Sequence, residues 1–272
     1  SSMSDAIYYH YTSVAGGHGI IGSRRVWLTD YRFLNDKREL KQGYTHFIAA
    51  LPENLRASFE RAFLWHDQFN HHCVLSLSHS PKILSQWRAY ADDATGLALG
   101  FSEKFLNFAK IQLVPCQYES QESYALTLVE KHLQLVEATH QARQKYIYEN
   151  EFMTWIHDQR QGFYSLVEDL IALKNPAFVE EQEVRAIRCV EYKEILTRVS
   201  GQTIVPYVEA NFWEDDEPIS SMAVVIPEIW LGPKCNELNM TGVRAINIGM
   251  CRINRYDCEI GRASCRERSS PV

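Results

Sequence analysis

From Gln121 to Leu173 the apolar residues recur at helical spacing among polar positions, and Pro176 closes the run. Strand-like segments lie on both sides of it: residues 6–12, 25–29, 73–78, 97–101 and 112–118 before, and 183–192, 203–208, 223–231 and 244–248 after. A chain with this order reads as one α+β domain whose strands are interrupted by a helical insertion of two or three helices, at about residues 121–173. No repeat, low-complexity tract or linker divides it, so the expected domain runs from residue 3 to 262. Ser1 and Ser2 read as a cloning scar before Met3, and the basic, serine-rich residues 263–272 as a second appended tail.

Shorter helical patterns fill the gaps. Asn35 and Asp36 are placed to cap a helix with Glu39 in its first turn, and Leu40 to Phe69 has helical spacing broken by Pro52. Ile83 to Tyr90 forms a further short helix, with Trp87 and Tyr90 three apart. The glycines at 16, 17, 19 and 22 have neither the dinucleotide-fold nor the P-loop spacing, so they do not support a phosphate cradle of those types.

A net charge of -6 and a pI near 5.9 argue against non-specific affinity for a nucleic-acid backbone. The seven cysteines are scattered and form no C-x-x-C pair, which suits reduced thiols better than a disulfide framework or a thiolate zinc site. With no signal peptide and no apolar run long enough to span a bilayer, the expected location is the cytoplasm, without membrane attachment.

The chemistry-bearing stretch is Phe178 to Arg188. If a strand begins near Glu181, its period of two places Glu181, Glu183 and Arg185 on one face. Two carboxylates and a guanidinium so gathered can orient a ribose and hold a developing positive charge. The same trio also reads as a solvated salt-bridge ladder. At the other end of the chain, Tyr9-His10-Tyr11-Thr12 ends a strand in a histidine able to meet a ribose hydroxyl, with backbone groups beside it to grip an amide. Trp27, Trp87 and Tyr90 are candidate walls for a flat ligand, or core residues. Ser76 and Ser78 lack a hydrolase motif but can contact a ligand at a strand end. His66, His71, His72 and His79 are metal-compatible in type, but neither H-E-x-x-H nor a shared helix face unites them, so no metal ligands are assigned. A metal-dependent nuclease built on them is the weakest alternative.

Taken in order, Tyr9-His10-Tyr11-Thr12, Trp27-Leu28-Thr29-Asp30, Asn35-Asp36 with Glu39, Leu75-Ser76-Leu77-Ser78, Trp87 with Tyr90, Gly96 before a strand, Glu181-Gln182-Glu183-Val184-Arg185, and Glu228 to Lys234 resemble the bacterial family catalogued as domain of unknown function 2971. Lys37 stands where such sequences often carry proline. The histidine-tipped early strand and the late E-x-E also resemble the ADP-ribosyltransferase fold, whose core is a split, mixed or antiparallel sheet. That resemblance implies NAD as co-substrate. It implies catalytic roles for Glu183 and Glu181, and cofactor contacts for His10, Tyr11, Thr12, Trp27, Asn35, Ser78, Trp87, Tyr90 and Arg185. The implied protein is an ADP-ribosyltransferase or NAD glycohydrolase, a bacterial toxin or anti-phage effector with a macromolecular acceptor and a regulatory or antitoxin partner. A catalytically inactive binding module of the same fold is the alternative.

Overall fold

A computed structural model describes residues 5–35, 37–214, 217–218, 222–246 and 251–257. The first strand, β1 (Ile7–Thr12), leads through α1 (Val14–Ser23), whose N-terminus Ser13 caps by accepting from the Gly16 N–H, into β2 (Arg25–Asp30). A short 3-10 turn and two helices, α2 (Lys37–Ala50) and α3 (Glu53–Phe69), separate β2 from the long β3 (Asn70–Ser78). Then come α4 (Leu84–Tyr90), β4 (Leu97–Ser102), α5 (Glu103–Phe108) and β5 (Gln112–Pro115). The expected helical insertion is three helices, α6 (Gln121–Lys145), α7 (Glu149–Asp158) and α8 (Arg160–Ala172). After a 3-10 turn at Pro176–Glu181 the strands resume as β6 (Glu183–Glu191), β7 (Leu196–Ser200) and β8 (Thr203–Asn211). A small pair, β9 (Trp213–Glu214) and β10 (Glu217–Pro218), precedes α9 (Met222–Val225), β11 (Glu228–Leu231), α10 (Leu238–Ile246) and β12 (Arg252–Arg255).

These elements form a mixed α/β protein around an open, mostly antiparallel sheet of ten strands; β11 and β12 run parallel. The pivot is β3. One edge of it pairs with β6 along its whole length, from Asn70 opposite Glu191 to Ser78 opposite Glu183. The other edge is divided: β2 meets it at Cys73 and Val74, and β1 meets it at Ser78. The sheet therefore branches into two wings, β2-β8-β7 and β1-β4-β11-β12.

Alternation along the strands sorts the core into two layers. Leu75, Leu77, Ala186, Val190, Leu97, Leu99 and Phe101 share one apolar cluster. Val74 and Ile187 point the other way, into the cluster built by α2, α3 and the three inserted helices. A small third cluster of Tyr9, Tyr11, Trp87 and the alanines at 91, 94 and 98 lies under α4.

Two expectations for the late strands need correction, and one strand was not expected. Residues 223–231 are not one strand: α9 ends at Val225, and only Glu228–Leu231 joins the sheet. Residues 244–246 close α10 instead of forming a strand, because Met240, Val243 and Ile246 recur at helical spacing against the core; residues 247 and 248 lie outside the described residues. The edge strand β7 carries a largely exposed face with weak alternation, which hides it in the sequence. Asp36 of the expected cap and the tails at 1–2 and 263–272 also lie outside the described residues.

Candidate functional site

The end of β6 that meets Ser78 carries the charged trio, and burial decides how to read it. Glu181, Glu183 and Arg185 are 3%, 5% and 2% exposed, so they are no solvated ladder. Glu181 is not a strand residue: it ends the 3-10 turn, and Gln182, with φ 47°, turns the chain through the left-handed region before β6 begins. The period of two consequently holds for Glu183 and Arg185 alone, and the turn brings Glu181 beside them by another route.

What joins them is Lys174. Its ammonium donates to Glu181 Oε2 at 2.5 Å and to Glu183 Oε2. The Nε of Arg185 donates to Glu183 Oε1 at 3.2 Å, while its Nη1 reaches the carbonyl of Ile171 at 2.5 Å near the end of α8. Lys174 is fixed from behind, since Leu173 bridges to Gln117 and the Lys174 N–H donates to the Gln117 carbonyl at 3.0 Å. Two carboxylates and two cations thus balance where little water reaches them, which makes such a cluster tolerable. The Ser78 hydroxyl donates to the Glu181 carbonyl at 2.9 Å and anchors the turn. The Tyr118 hydroxyl accepts from the Glu183 N–H at 2.9 Å.

Burial pushes the Glu183 carboxyl up, but the charges of Arg185 and Lys174, with hydrogen bonds from Lys174 and Ser76, hold it below the usual carboxylate range. Burial works against the Lys174 ammonium too, and Glu183 and Glu181 overcome it, so its pKa is raised. Both groups are charged at neutral pH.

Above this quartet opens a cavity of about 270 Å³. Glu183, Lys174 and Ser76 line its polar side, while Tyr90, Phe178, Leu34 and Asn35 complete the wall. The Phe178 ring centroid lies 5.5 Å from the Lys174 ammonium. Of the residues singled out in the sequence, the cavity brings together Glu183, Ser76, Asn35 and Tyr90, with Arg185, Glu181 and Ser78 behind it.

The others sit elsewhere. Trp87 is fully buried, edge-on to Tyr11 at 4.9 Å between ring centroids, with its indole N–H on the Pro81 carbonyl. The Tyr11 hydroxyl donates to the Ser80 carbonyl at 2.7 Å and accepts from the Ile83 N–H, which holds the entry to α4. The Thr12 hydroxyl occupies the space that a Cβ on Gly16 would need. Trp27 lies on the β2-β8 wing, bonded to Glu209 and packed on Tyr207 and Arg198. His10 does not line the cavity: Tyr9 is in register with Ser78, and Ser78 with Glu183, so alternation turns His10 to the opposite face. Its Nδ1–H donates to the Ser76 carbonyl at 3.1 Å, and burial lowers its pKa against that bond.

The four histidines do not converge on one point either, although the His66 and His72 rings are neighbours at 5.7 Å between centroids. His66 and His72 are buried in the helical layer, His71 lies 2.7 Å from Asp30, and the His79 ring packs on Tyr8. Among the described residues no three of His, Cys, Asp and Glu group as a metal site requires. No described helix is long and apolar enough to cross a membrane.

Fold and site together define a mixed α/β protein with a branched, mostly antiparallel sheet and a buried, charge-balanced carboxylate cluster under a small cavity. Residues 86–186 match the model of a family described as a protein of unknown function (DUF2971). That stretch runs from α4 into β6, and it contains Tyr90, Lys174, Phe178, Glu181, Glu183 and Arg185. No curated protein and no solved structure matches the chain. Nothing in the sequence singled out Lys174 or Leu34, and Phe178 stood out only as the start of the charged stretch; the one available signal for Lys174 was a lysine standing alone after the apolar end of α8.

Proposed function

We propose that the cavity above Glu183 receives the nicotinamide-ribose end of NAD, and that the protein is an ADP-ribosyltransferase or NAD glycohydrolase of ADP-ribosyltransferase-like fold. The observation that carries this reading is a buried, ionised carboxylate, fixed by Arg185, Lys174 and Ser76, on the wall of a cavity rimmed by Tyr90 and Phe178. The branching of the sheet at β3 supports the fold part of the reading.

In the reaction, the bond between ribose C1′ and the nicotinamide ring nitrogen breaks, and nicotinamide leaves as a neutral molecule with the bonding pair. The cation left at C1′ is oxocarbenium-like, and a fixed carboxylate beside it lowers the barrier. A nucleophile of the acceptor, or water, then bonds to C1′ and gives its proton to solvent. Lys174, Arg185 and Ser76 use three of the roughly four acceptor sites of a carboxylate, so Glu183 can still accept from a ribose hydroxyl. The cavity has the size for a ring and a sugar; the adenylate half would lie along the surface. Glu181 acts here by positioning Lys174. The acceptor, and an antitoxin or regulatory partner for a toxin or anti-phage effector, belong to the same proposal.

Purified protein incubated with NAD, alone and with cell extract, should release nicotinamide measurable by chromatography. Glu183→Gln should cut release by about two orders of magnitude, the worth of one preorganised contact of about 3 kcal/mol. Undiminished release by a folded Glu183→Gln protein would overturn the assignment. A second reading, a binding module without catalysis, draws on the fact that Lys174 already occupies both carboxylates. It predicts a thermal shift with a non-hydrolysed NAD analogue and no nicotinamide release.

A further inference from the structure

A second cavity, of about 490 Å³, opens at the other end of the β3-β6 pair, where Asn70 lies opposite Glu191. Eight strand steps at about 3.4 Å each put it roughly 27 Å from the Glu183 end, and the two cavities share no lining residue. Its walls are flat and held in place. Trp65 and Phe69 stack with ring centroids 5.6 Å apart and planes 5° apart, and the Trp65 indole N–H is tied to Glu149 at 3.1 Å. Phe69 in turn stands edge-on to Tyr192 at 5.8 Å.

His66 lines this cavity although it is 1% exposed, and its tautomer follows from its neighbours. The Asn70 side-chain oxygen accepts from the Tyr164 hydroxyl at 2.9 Å, which directs the Asn70 amide N–H groups to the His66 carbonyl at 2.8 Å and to His66 Nδ1 at 3.3 Å. Nδ1 is therefore an acceptor, and the ring proton of neutral His66 sits on Nε2. Burial lowers the pKa of His66 to about 3, so the ring is neutral. Nε2 has no hydrogen-bond partner in the protein. A buried donor without an acceptor is costly, and a ligand that supplies one recovers the cost.

We infer that this cavity binds a small, uncharged, planar heterocycle that stacks among Trp65, Phe69 and Tyr192 and accepts a hydrogen bond from His66 Nε2. Its volume falls in the range of small-molecule pockets. Predominantly apolar walls and a neutral histidine disfavour a charged ligand; the one lining carboxylate, Glu191, is paired with Lys193 and repels an anion.

The probes are quinoline, whose ring nitrogen accepts, and the near-isosteric indole, whose N–H only donates. Calorimetry and the shift of the Trp65 indole N–H signal read binding. Quinoline should bind with a dissociation constant at or below the millimolar range, about three- to tenfold tighter than indole, the worth of one net hydrogen bond. His66→Phe should keep the stacking and erase that preference. Thr154→Trp, at an exposed lining position, should weaken quinoline at least tenfold, and Glu183→Gln should leave it unchanged. Absence of quinoline binding, equal affinity for the two probes, or binding untouched by a folded Thr154→Trp protein would each overturn the inference. Because Thr154 lies on the surface, the test survives even if His66→Phe fails to fold.

Discussion

Replacing Lys174 by methionine keeps most of its hydrocarbon and removes the cation that Glu181 and Glu183 share. Arg185 still faces Glu183, but Glu181 is left buried with its ion-pair partner gone. Deleting one member of a buried ion pair costs about 3–5 kcal/mol, and because Lys174 serves two carboxylates the upper end, about 5 kcal/mol, is expected near neutral pH. For a domain of this size each kcal/mol lowers the midpoint by about 2–4 °C, so a fall of roughly 10–20 °C follows. Thermal and urea unfolding measure it.

The pH dependence has a definite sign. Glu183 has a depressed pKa in the folded state, so its contribution is present above the unfolded value of about 4.3 and fades as pH falls through the lower folded value. Lys174 has a raised one, so its contribution is complete below about 10.4 and is lost as pH rises through the higher folded value. Wild type should hold a plateau between these limits. In the variant Glu183 loses the charge and hydrogen bond of Lys174 and protonates more readily, so the deficit should shrink as the pH approaches 4. Adding Glu181→Gln to Lys174→Met removes the orphaned charge and should recover about half of the loss. A deficit under about 1 kcal/mol, the range of solvated pairs, or one constant from pH 8 to pH 4, would refute the picture of a closed quartet.

Other residues test the frame around it. Trp87→Ala should cost about 3–5 kcal/mol by chemical denaturation, because it empties a fully buried position in the cluster beneath α4. Gly96→Ala should cost about 1–3 kcal/mol in the same assay, since the added Cβ would stand 2.2 Å from the Thr12 carbonyl oxygen, where backbone cannot yield cheaply. Trp27→Ala, at a 46% exposed position, should change stability by no more than about 1 kcal/mol and should leave nicotinamide release intact, because Trp27 lies out on the β2-β8-β7 wing and does not line the cavity.

The legible parts of this chain are those governed by neighbours in sequence. Period-two alternation placed Glu183 and Arg185 on one face of β6, and helical spacing against Pro176 marked out the helical insertion, though not its division into three helices. Where long-range packing decides, the same rules mislead. Residues three apart on a helix differ by about 60° around its axis. At the margin of a buried stripe that angle separates Trp87, sealed inside, from Tyr90, which lines the cavity. Alternation says that His10 and Tyr9 face opposite ways, but only the pairing of Tyr9 with Ser78 shows which of the two shares a face with Glu183.

Lys174 is the strongest case. Its position depends on the bridge between Leu173 and Gln117, a contact across the whole insertion, and nothing local announces it. Yet Lys174 changes the chemical character of the trio: it bridges two carboxylates that would otherwise repel each other in a largely buried space, and it helps keep Glu183 ionised, which a carboxylate facing a developing cation requires. The E-x-E-x-R pattern alone cannot distinguish a surface ladder from a reactive edge, because the difference lies in what covers the strand end. Here α8 and the 3-10 turn cover it, and the lysine between them compensates the charge.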